Sequence, residues 1–255
     1  MKTICAPRKI STLPESHEKL LGIGDAGDSI GIMETRPAAN RTEAFTRAEL
    51  FVVIAVIAVL AATLFAALIT VRRIGRNMAC VYNLSCVNTA FKVWEGDAGD
   101  KYPMYFALTN NETMDLIGHG KAYVLWQTMS NEFGTPKYLN CPADTERIAA
   151  TNFAKGFSDA NISYFFSLDT TVDIYLQMIL DGDDNLAVNG VRVKPGILTL
   201  PINGSLTWTK ERHRGVGIIG MADGSIQQTT PSSLWTAMIA ATNGAPVATC
   251  RWVIP

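Results

Sequence analysis

Leu50-Phe-Val-Val-Ile-Ala-Val-Ile-Ala-Val-Leu-Ala-Ala-Thr-Leu-Phe-Ala-Ala-Leu-Ile-Thr-Val71 runs for 22 residues without a charge. As a helix rising about 1.5 Å per residue it spans roughly 33 Å, the thickness of a bilayer's hydrocarbon core. A core helix of a soluble domain this size rarely finds surroundings dry on every side for that length, so the run reads as a membrane span. A cleaved secretory signal needs a shorter apolar region and a nearby small-residue cleavage site, whereas Arg72, Arg73 and Arg76 follow this run directly. The expectation is a retained single-pass anchor. Arg36, Arg41 and Arg47 precede it and three arginines follow, which leaves the positive-inside comparison tied.

Upstream, residues 1–44 hold six basic and six acidic residues among glycines and prolines, with no sustained apolar face. They read as a flexible leader, in which Cys5 is expected to lack a native partner. Downstream, Ile74, Met78, Val81, Leu84, Asn88 and Phe91 recur every three or four residues. That period continues the helix as an amphipathic stem, ending near Glu95-Gly-Asp-Ala-Gly-Asp100. From Phe45 to Trp94, a continuous helix would be roughly 75 Å long, more than twice a bilayer's core.

The rest of the 255-residue chain has room for one further domain. Asn161–Phe166, Val191–Val193 and Gly196–Leu200 read as short strands. Val216–Ala222 and Ser225–Thr229, flanking Asp223-Gly224, read as a hairpin with a two-residue turn. Ser233–Ala241 suits a short closing helix. The fold class is therefore α+β, a long N-terminal helix on a small antiparallel sheet, divided as 1–44, 45–95 and 96–255. With 22 basic against 23 acidic residues, nothing favours nucleic acid as a partner.

Glu49 abuts the apolar run four positions after Phe45. A carboxylate entering hydrocarbon must stay at the interface, take a proton or find a cation. If the chain is cut before Phe45, the new α-amine of an axially staggered neighbour is a suitable cation. The alternative is an interfacial glutamate beside a snorkelling Arg47. Ala58, Ala62 and Ala66, four apart, would let another helix approach closely.

The segment Ala44-Phe-Thr-Arg-Ala-Glu-Leu-Phe-Val-Val-Ile-Ala-Val-Ile-Ala-Val-Leu-Ala-Ala61 resembles the N-terminal cleavage and methylation motif of type IV pilin-like and type II secretion pseudopilin-like proteins. The resemblance implies a pilin-like fold, cleavage between Ala44 and Phe45 by a prepilin peptidase, methylation of the Phe45 amine, and use of Glu49 in assembly with other pilin-like subunits. Two departures from the pattern stand out: Ala44 is found where the family usually has glycine, and Arg47 and Ala48 where it commonly has apolar residues. Arg47 would compete with a neighbour's amine for Glu49. Cys80-Val-Tyr-Asn-Leu84, Lys101-Tyr-Pro103, Cys141-Pro-Ala-Asp144, Asn161-Ile-Ser-Tyr164, Gly182-Asp-Asp-Asn185, and His213 followed by Ala222-Asp-Gly-Ser225 are similar, in the same order, to the pseudopilin-like group of planctomycete and verrucomicrobial-type bacteria. The implied location is the cytoplasmic membrane, with the C-terminal domain periplasmic or extracellular.

In an oxidising compartment Cys80, Cys86, Cys141 and Cys250 can form two bridges in three ways. The resemblance favours Cys80 with Cys141, tying stem to domain. Asp181-Gly-Asp-Asp-Asn185 reads as a polar turn; Asp181, Asp183 and Asn185 also offer oxygen ligands for Ca²⁺, the one cofactor the sequence suggests, but Leu186 and Arg192 fall where an EF-hand loop needs glycine and glutamate. His213 lacks the spacing of a Ser/His/Asp triad or of paired metal histidines, so no catalytic residue is assigned and the chain is not read as an enzyme. A hydrogen bond from His213 to the hairpin at Asp223 is expected instead. Trp208 and Trp235 read as core, with a sugar-stacking surface as the alternative.

The leading expectation is a structural pseudopilin-like subunit. A membrane-anchored module binding polysaccharide or protein is second, and an exported hydrolase third. Met33 would give a 12-residue leader, and translation is expected to start there. Sequencing the N-terminus of an uncleavable precursor checks this; peptides from upstream of residue 33 would sink the assignment.

Overall fold

The computed structural model describes residues 46–172, 174–201, 205–243 and 249–255. The leader, Cys5, Ala44 and Phe45 lie outside them. Helix α1 spans Arg47–Asp97. Its contacts fall into two units, with Thr70–Pro255 in one and the helix up to Ile69 in the other.

Within the first part of α1 the most apolar stretch is exposed rather than buried among the described residues. Phe51, Leu60 and Phe65 are each more than 60% exposed, an arrangement that water does not tolerate and a bilayer does. The chain is a single-pass membrane-anchored protein with a folded β-sheet domain beyond the span.

In the Thr70–Pro255 unit the helix becomes one-sided. Cys80, Leu84, Val87, Asn88, Phe91 and Glu95 are buried, a spacing of three and four. Ile74 and Met78, expected on this buried face, are exposed, because the stripe starts at half-buried Asn77 and Cys80. The helix closes at Glu95, whose carbonyl accepts from Asp100 N–H, while Gly99 and Asp100 take left-handed φ of 67° and 59°.

Four short helices follow: α2 (Pro103–Thr109), α3 (Asn111–Gly118), α4 (Tyr123–Thr128) and α5 (Ser130–Phe133). Pro103 at the first position of α2 supplies a fixed φ and no orphan N–H. Asn110 caps α3 by accepting from the Glu112 and Thr113 amides.

The strands are β1 (Tyr164–Ser167), β2 (Ile179–Asp183), β3 (Leu186–Val188), β4 (Val191–Arg192), β5 (Gly196–Pro201), β6 (Leu206–Trp208), β7 (Gly217–Met221), β8 (Ile226–Thr229) and β9 (Thr249–Ile254). Six form one sheet in the order β5-β9-β1-β2-β7-β8, and β4-β3-β6 form a second. Every pairing is antiparallel. Helix α6 (Pro231–Asn243) follows β8, two residues longer at each end than the pattern Ser233–Ala241 indicated.

Both faces of the large sheet are covered, and successive residues alternate between two apolar clusters. Tyr164, Phe166, Ile218 and Val253 join Leu84, Val87, Phe91 and Trp126 on the α1 side. Phe165, Ile219 and Trp252 join Trp208, Leu234 and Met238 on the other. Phe91, Trp126 and Phe166 make consecutive ring contacts of 5.5 Å on the first side, and Phe165 stacks on Trp252 at 4.4 Å on the second.

The β7–β8 hairpin differs from expectation. Gly220 pairs with Ile226, Met221 N–H donates to Ser225 O, and Gly224 alone in the loop has positive φ, 89°. The connection is a three-residue turn closed by a glycine bulge, whose left-handed position Gly224 fills.

Gly217 is required by a close approach: a Cβ there would lie 2.4 Å from the Trp208 ring. Gly217→Ala is expected to cost about 1–3 kcal/mol through displacement of that buried indole. Denaturant unfolding of the detergent-solubilised protein checks this, and an unchanged midpoint would contradict the packing described.

Candidate functional site

Two places concentrate polar chemistry: the start of α1 and the buried contact between its stem and the sheet. At the first, Thr46 precedes the helix and Glu49 lies in its first turn. Thr46 N–H and Oγ1 donate to Glu49 Oε2 at 2.8 and 2.9 Å, and Glu49 N–H donates to Thr46 Oγ1 at 3.2 Å. This reciprocal capping box satisfies two orphan amides and places a carboxylate at the positive end of the helix. Glu49 therefore has a local partner in Thr46. Expectation had considered only Arg47 and a neighbour's amine, although Thr46-x-x-Glu49 is itself a legible start signal.

The second place is built on β2. The Asp181–Asn185 stretch is no exposed turn: Asp181, Gly182 and Asp183 are strand residues, and all five positions are buried. Alternation sends Asp181 and Asp183 to the α1 face of the sheet, opposite Phe166 and Tyr164 in register. Their surroundings differ. Asp181 lies over the Gly220 backbone, where a Cβ would come within 2.0 Å of Oδ1, and beside Asn88 of the stem. Burial holds its pKa well above the usual carboxylate value, against the lowering influence of the Gly220 amide and Asn88. Asp183 Oδ2 accepts from Ile218 N–H at 2.9 Å, and Asn185 turns its amide toward Thr209 O. The three expected calcium ligands thus face separate partners and make no common oxygen cage.

Asp184 enters a largely buried ion network that borders a cleft at Arg147. Arg212 reaches Asp184 at 2.6 Å and Asp144 at 2.7 Å, while Arg147 reaches Asp184 at 2.5 Å and Asp144 at 3.3 Å. Ser163 Oγ donates to Asp144 at 2.8 Å, and Arg212 also donates to Ser163 O at 3.1 Å. Burial raises the Asp144 pKa, but Arg212, Ser163, the Glu146 amide and Arg147 together bring it below the usual value. Two carboxylates and two guanidinium groups, largely screened from water, neutralise each other here.

His213 adjoins this network. Its Nδ1 is 3.0 Å from Asn77 Oδ1, and its Nε2 lies 3.4 Å from both Cys141 Sγ and Asp183 Oδ2. Burial and the Arg212 charge lower its pKa to about 4, whereas burial raises that of Asp183 to about 7. Between those values both partners are uncharged, so the contact is a neutral pair rather than an ion pair. His213 contacts stem and sheet, not the hairpin at Asp223 as expected. It does so from a loop in which His213, Arg214 and Gly215 take φ of 40°, 57° and 84°, costly for the two residues that carry a side chain.

Cys80 and Cys141 form a disulfide, the pairing the resemblance favoured, and it ties stem to domain. Cys250 is a free buried thiol in the second cluster, so it does not bridge to Cys86. Trp208 is core and offers no stacking surface; Trp235 is half-buried. A cleft of about 300 Å³ is lined by Arg147, Asp184, Arg192 and Lys194. Arg192 is matched within the protein, forked onto Glu146 at 3.0 and 2.7 Å and 3.3 Å from Glu211.

Comparison with protein-family models, with curated proteins and with solved structures finds no match for this chain. Function is therefore argued from the anchor and the site alone.

Sequence reasoning missed Arg147, Arg212 and Asp184 as partners. The available signal was charge in an apolar context: Asp181 and Asp183 directly follow Met178-Ile-Leu180. Removing Arg212 leaves one guanidinium for two buried carboxylates. Arg212→Met is expected to destabilise the domain by about 3–5 kcal/mol, with partial recovery in the Arg212→Met, Asp144→Asn double variant. Urea midpoints of the solubilised proteins measure both.

Proposed function

We propose that the chain is a structural pseudopilin-like subunit: processed before Phe45, held in the cytoplasmic membrane by α1, and assembled with like subunits through that helix. The observation that carries this reading is the placement of Glu49. It is the one carboxylate at the edge of a 22-residue uncharged run, in the first turn of a helix that goes on to become the stem of a folded domain. A carboxylate at that depth is retained where it has a cationic partner, and the α-amine of a staggered neighbour cut before Phe45 supplies one. Before assembly the Thr46 amide and hydroxyl satisfy the same oxygens, so the transfer exchanges a local cap for an intermolecular ion pair.

The α+β domain supports the reading in two ways. It packs one face of the stem, and the membrane-spanning part of the helix presents exposed apolar side chains suited to other helices or lipid. Its disulfide is suited to the oxidising side of the membrane, which supports a periplasmic or extracellular domain. A prepilin peptidase is the partner that would process the chain.

In a host carrying prepilin peptidase, the membrane-extracted protein is expected to begin at a methylated Phe45 by intact mass and N-terminal analysis. Glu49→Ala is expected to be processed yet lose helix-to-helix cross-linking in the membrane. A full-length unprocessed chain in that host, or undiminished cross-linking of Glu49→Ala, would overturn the proposal.

A further inference from the structure

The contact between Cys80, Cys141, His213 and Asp183 has donor atoms suited to more than a disulfide. We propose that, when the Cys80–Cys141 bond is reduced, the two cysteines and His213 form a Zn²⁺ site whose fourth position is taken by solvent or by the neighbouring Asp183, so that metal and disulfide are alternative closures of one staple.

Donor chemistry is the first argument. One ligand atom each from Cys80, Cys141 and His213 lies within 4.8 Å of the others, and all three residues are buried. Asp183 Oδ2 lies 3.4 Å from His213 Nε2, beside that group of three. Two sulfurs and an imidazole nitrogen make a set that Zn²⁺ accepts readily, with an oxygen in the fourth position.

Geometry is the second. Bond lengths of about 2.3 Å to sulfur and about 2.0–2.1 Å to nitrogen or oxygen, at tetrahedral angles, require ligand separations of about 3.6 Å for S to N and about 3.3 Å for N to O. The corresponding distances are 3.4 Å from Cys141 Sγ to His213 Nε2 and 3.4 Å from His213 Nε2 to Asp183 Oδ2. Both distances suit a shared metal. The two sulfurs must separate to about 3.8 Å, which breaking their bond allows, and Cys80 Sγ already lies within 4.8 Å of the imidazole.

The third argument is how the histidine is held. Asn77 Oδ1, 3.0 Å from Nδ1, accepts that N–H and leaves the Nε2 lone pair facing the sulfurs and Asp183. The ring is carried on two successive left-handed non-glycine residues, His213 and Arg214, a backbone cost that fixes where Nε2 points. The Ile218 amide donates to Asp183 Oδ2 and so holds that carboxyl beside the imidazole.

The redox step balances with a dithiol as reductant. It delivers two electrons and two protons to the Sγ–Sγ bond, leaving two thiols here and its own disulfide. Zn²⁺ then displaces the two thiol protons to solvent. Re-oxidation by a small-molecule disulfide passes two electrons from the thiolates to that disulfide, which leaves as two thiols after taking two protons from solvent; the Cys80–Cys141 bond reforms and the metal is released.

The test uses full-length protein in detergent, reduced with excess dithiothreitol, desalted without oxygen and titrated with Co²⁺ and then Zn²⁺. One equivalent of Co²⁺ is expected to give a sulfur-to-cobalt charge-transfer band and intense visible bands of tetrahedral cobalt, both abolished by Zn²⁺. Oxidised protein should give neither, and Cys250→Ala should match the wild type. Zinc X-ray absorption on the wild type is expected to read two sulfurs at about 2.3 Å and two nitrogen or oxygen ligands at about 2.0–2.1 Å. Alkylation mapping should find Cys80 and Cys141 protected by Zn²⁺. Failure of the reduced chain to bind metal, folded or not, overturns the proposal; so does a zinc shell without imidazole, or binding that leaves Cys80 and Cys141 open to alkylation.

Discussion

The domain depends on one helix meeting two environments in succession. From Leu50 to Val71 the α1 side chains are uncharged on every side, and beyond Asn77 only one stripe is buried. The change of pattern, rather than any break in the backbone, divides anchor from stem. Leu84, Val87 and Phe91 then share an apolar cluster with Tyr164, Phe166 and Ile218 of the sheet. Without that stripe the α1 face of β1, β2 and β7 would present aromatic rings and two aspartates to water.

The polar groups on that face follow from the same packing. A helix lying on a sheet removes water from whatever the sheet presents, so Asp181 and Asp183 need the stem itself as a source of partners. Asn88 is supplied by the stem to the neighbourhood of Asp181, and its Nδ2 also donates to Met221 O at 3.0 Å. Asn77 orients His213, which faces Asp183. Arg212 and Arg147 cover the adjoining carboxylates from loops of the domain. Helix and sheet are thus specified to each other by polar matching as well as by apolar area, which fixes their register.

Much of this was legible in the chain. The uncharged run, the three-and-four spacing from Leu84 to Phe91, the short strands and the Asp-Gly turn each rest on local periodicity or local backbone preference, and each lies close to where it was read. The Cys80–Cys141 bridge was favoured by resemblance alone. What escaped was non-local. Asp181-Gly-Asp-Asp-Asn185 has a turn's composition, and only the covering of both sheet faces makes it a strand. Arg212 is separated from Asp144 by 68 positions, from subtraction of the residue numbers, and nothing local pairs them. The glycine bulge at Gly224 was missed because two- and three-residue turns draw on the same residues. Ile74 and Met78 fit the stem's period but precede the domain that would cover them.

The position of the disulfide also gives the molecule a mechanical character. A force drawing on the anchor travels along α1 and first meets the domain near Cys80, where a covalent bond carries it to Cys141. The apolar contacts of Leu84, Val87 and Phe91 lie farther along the helix, behind that bond. Tension is therefore borne by a sulfur–sulfur link and the main chain before it can shear the stem across the sheet. Such a placement suits a part that is pulled on as well as one that is simply folded.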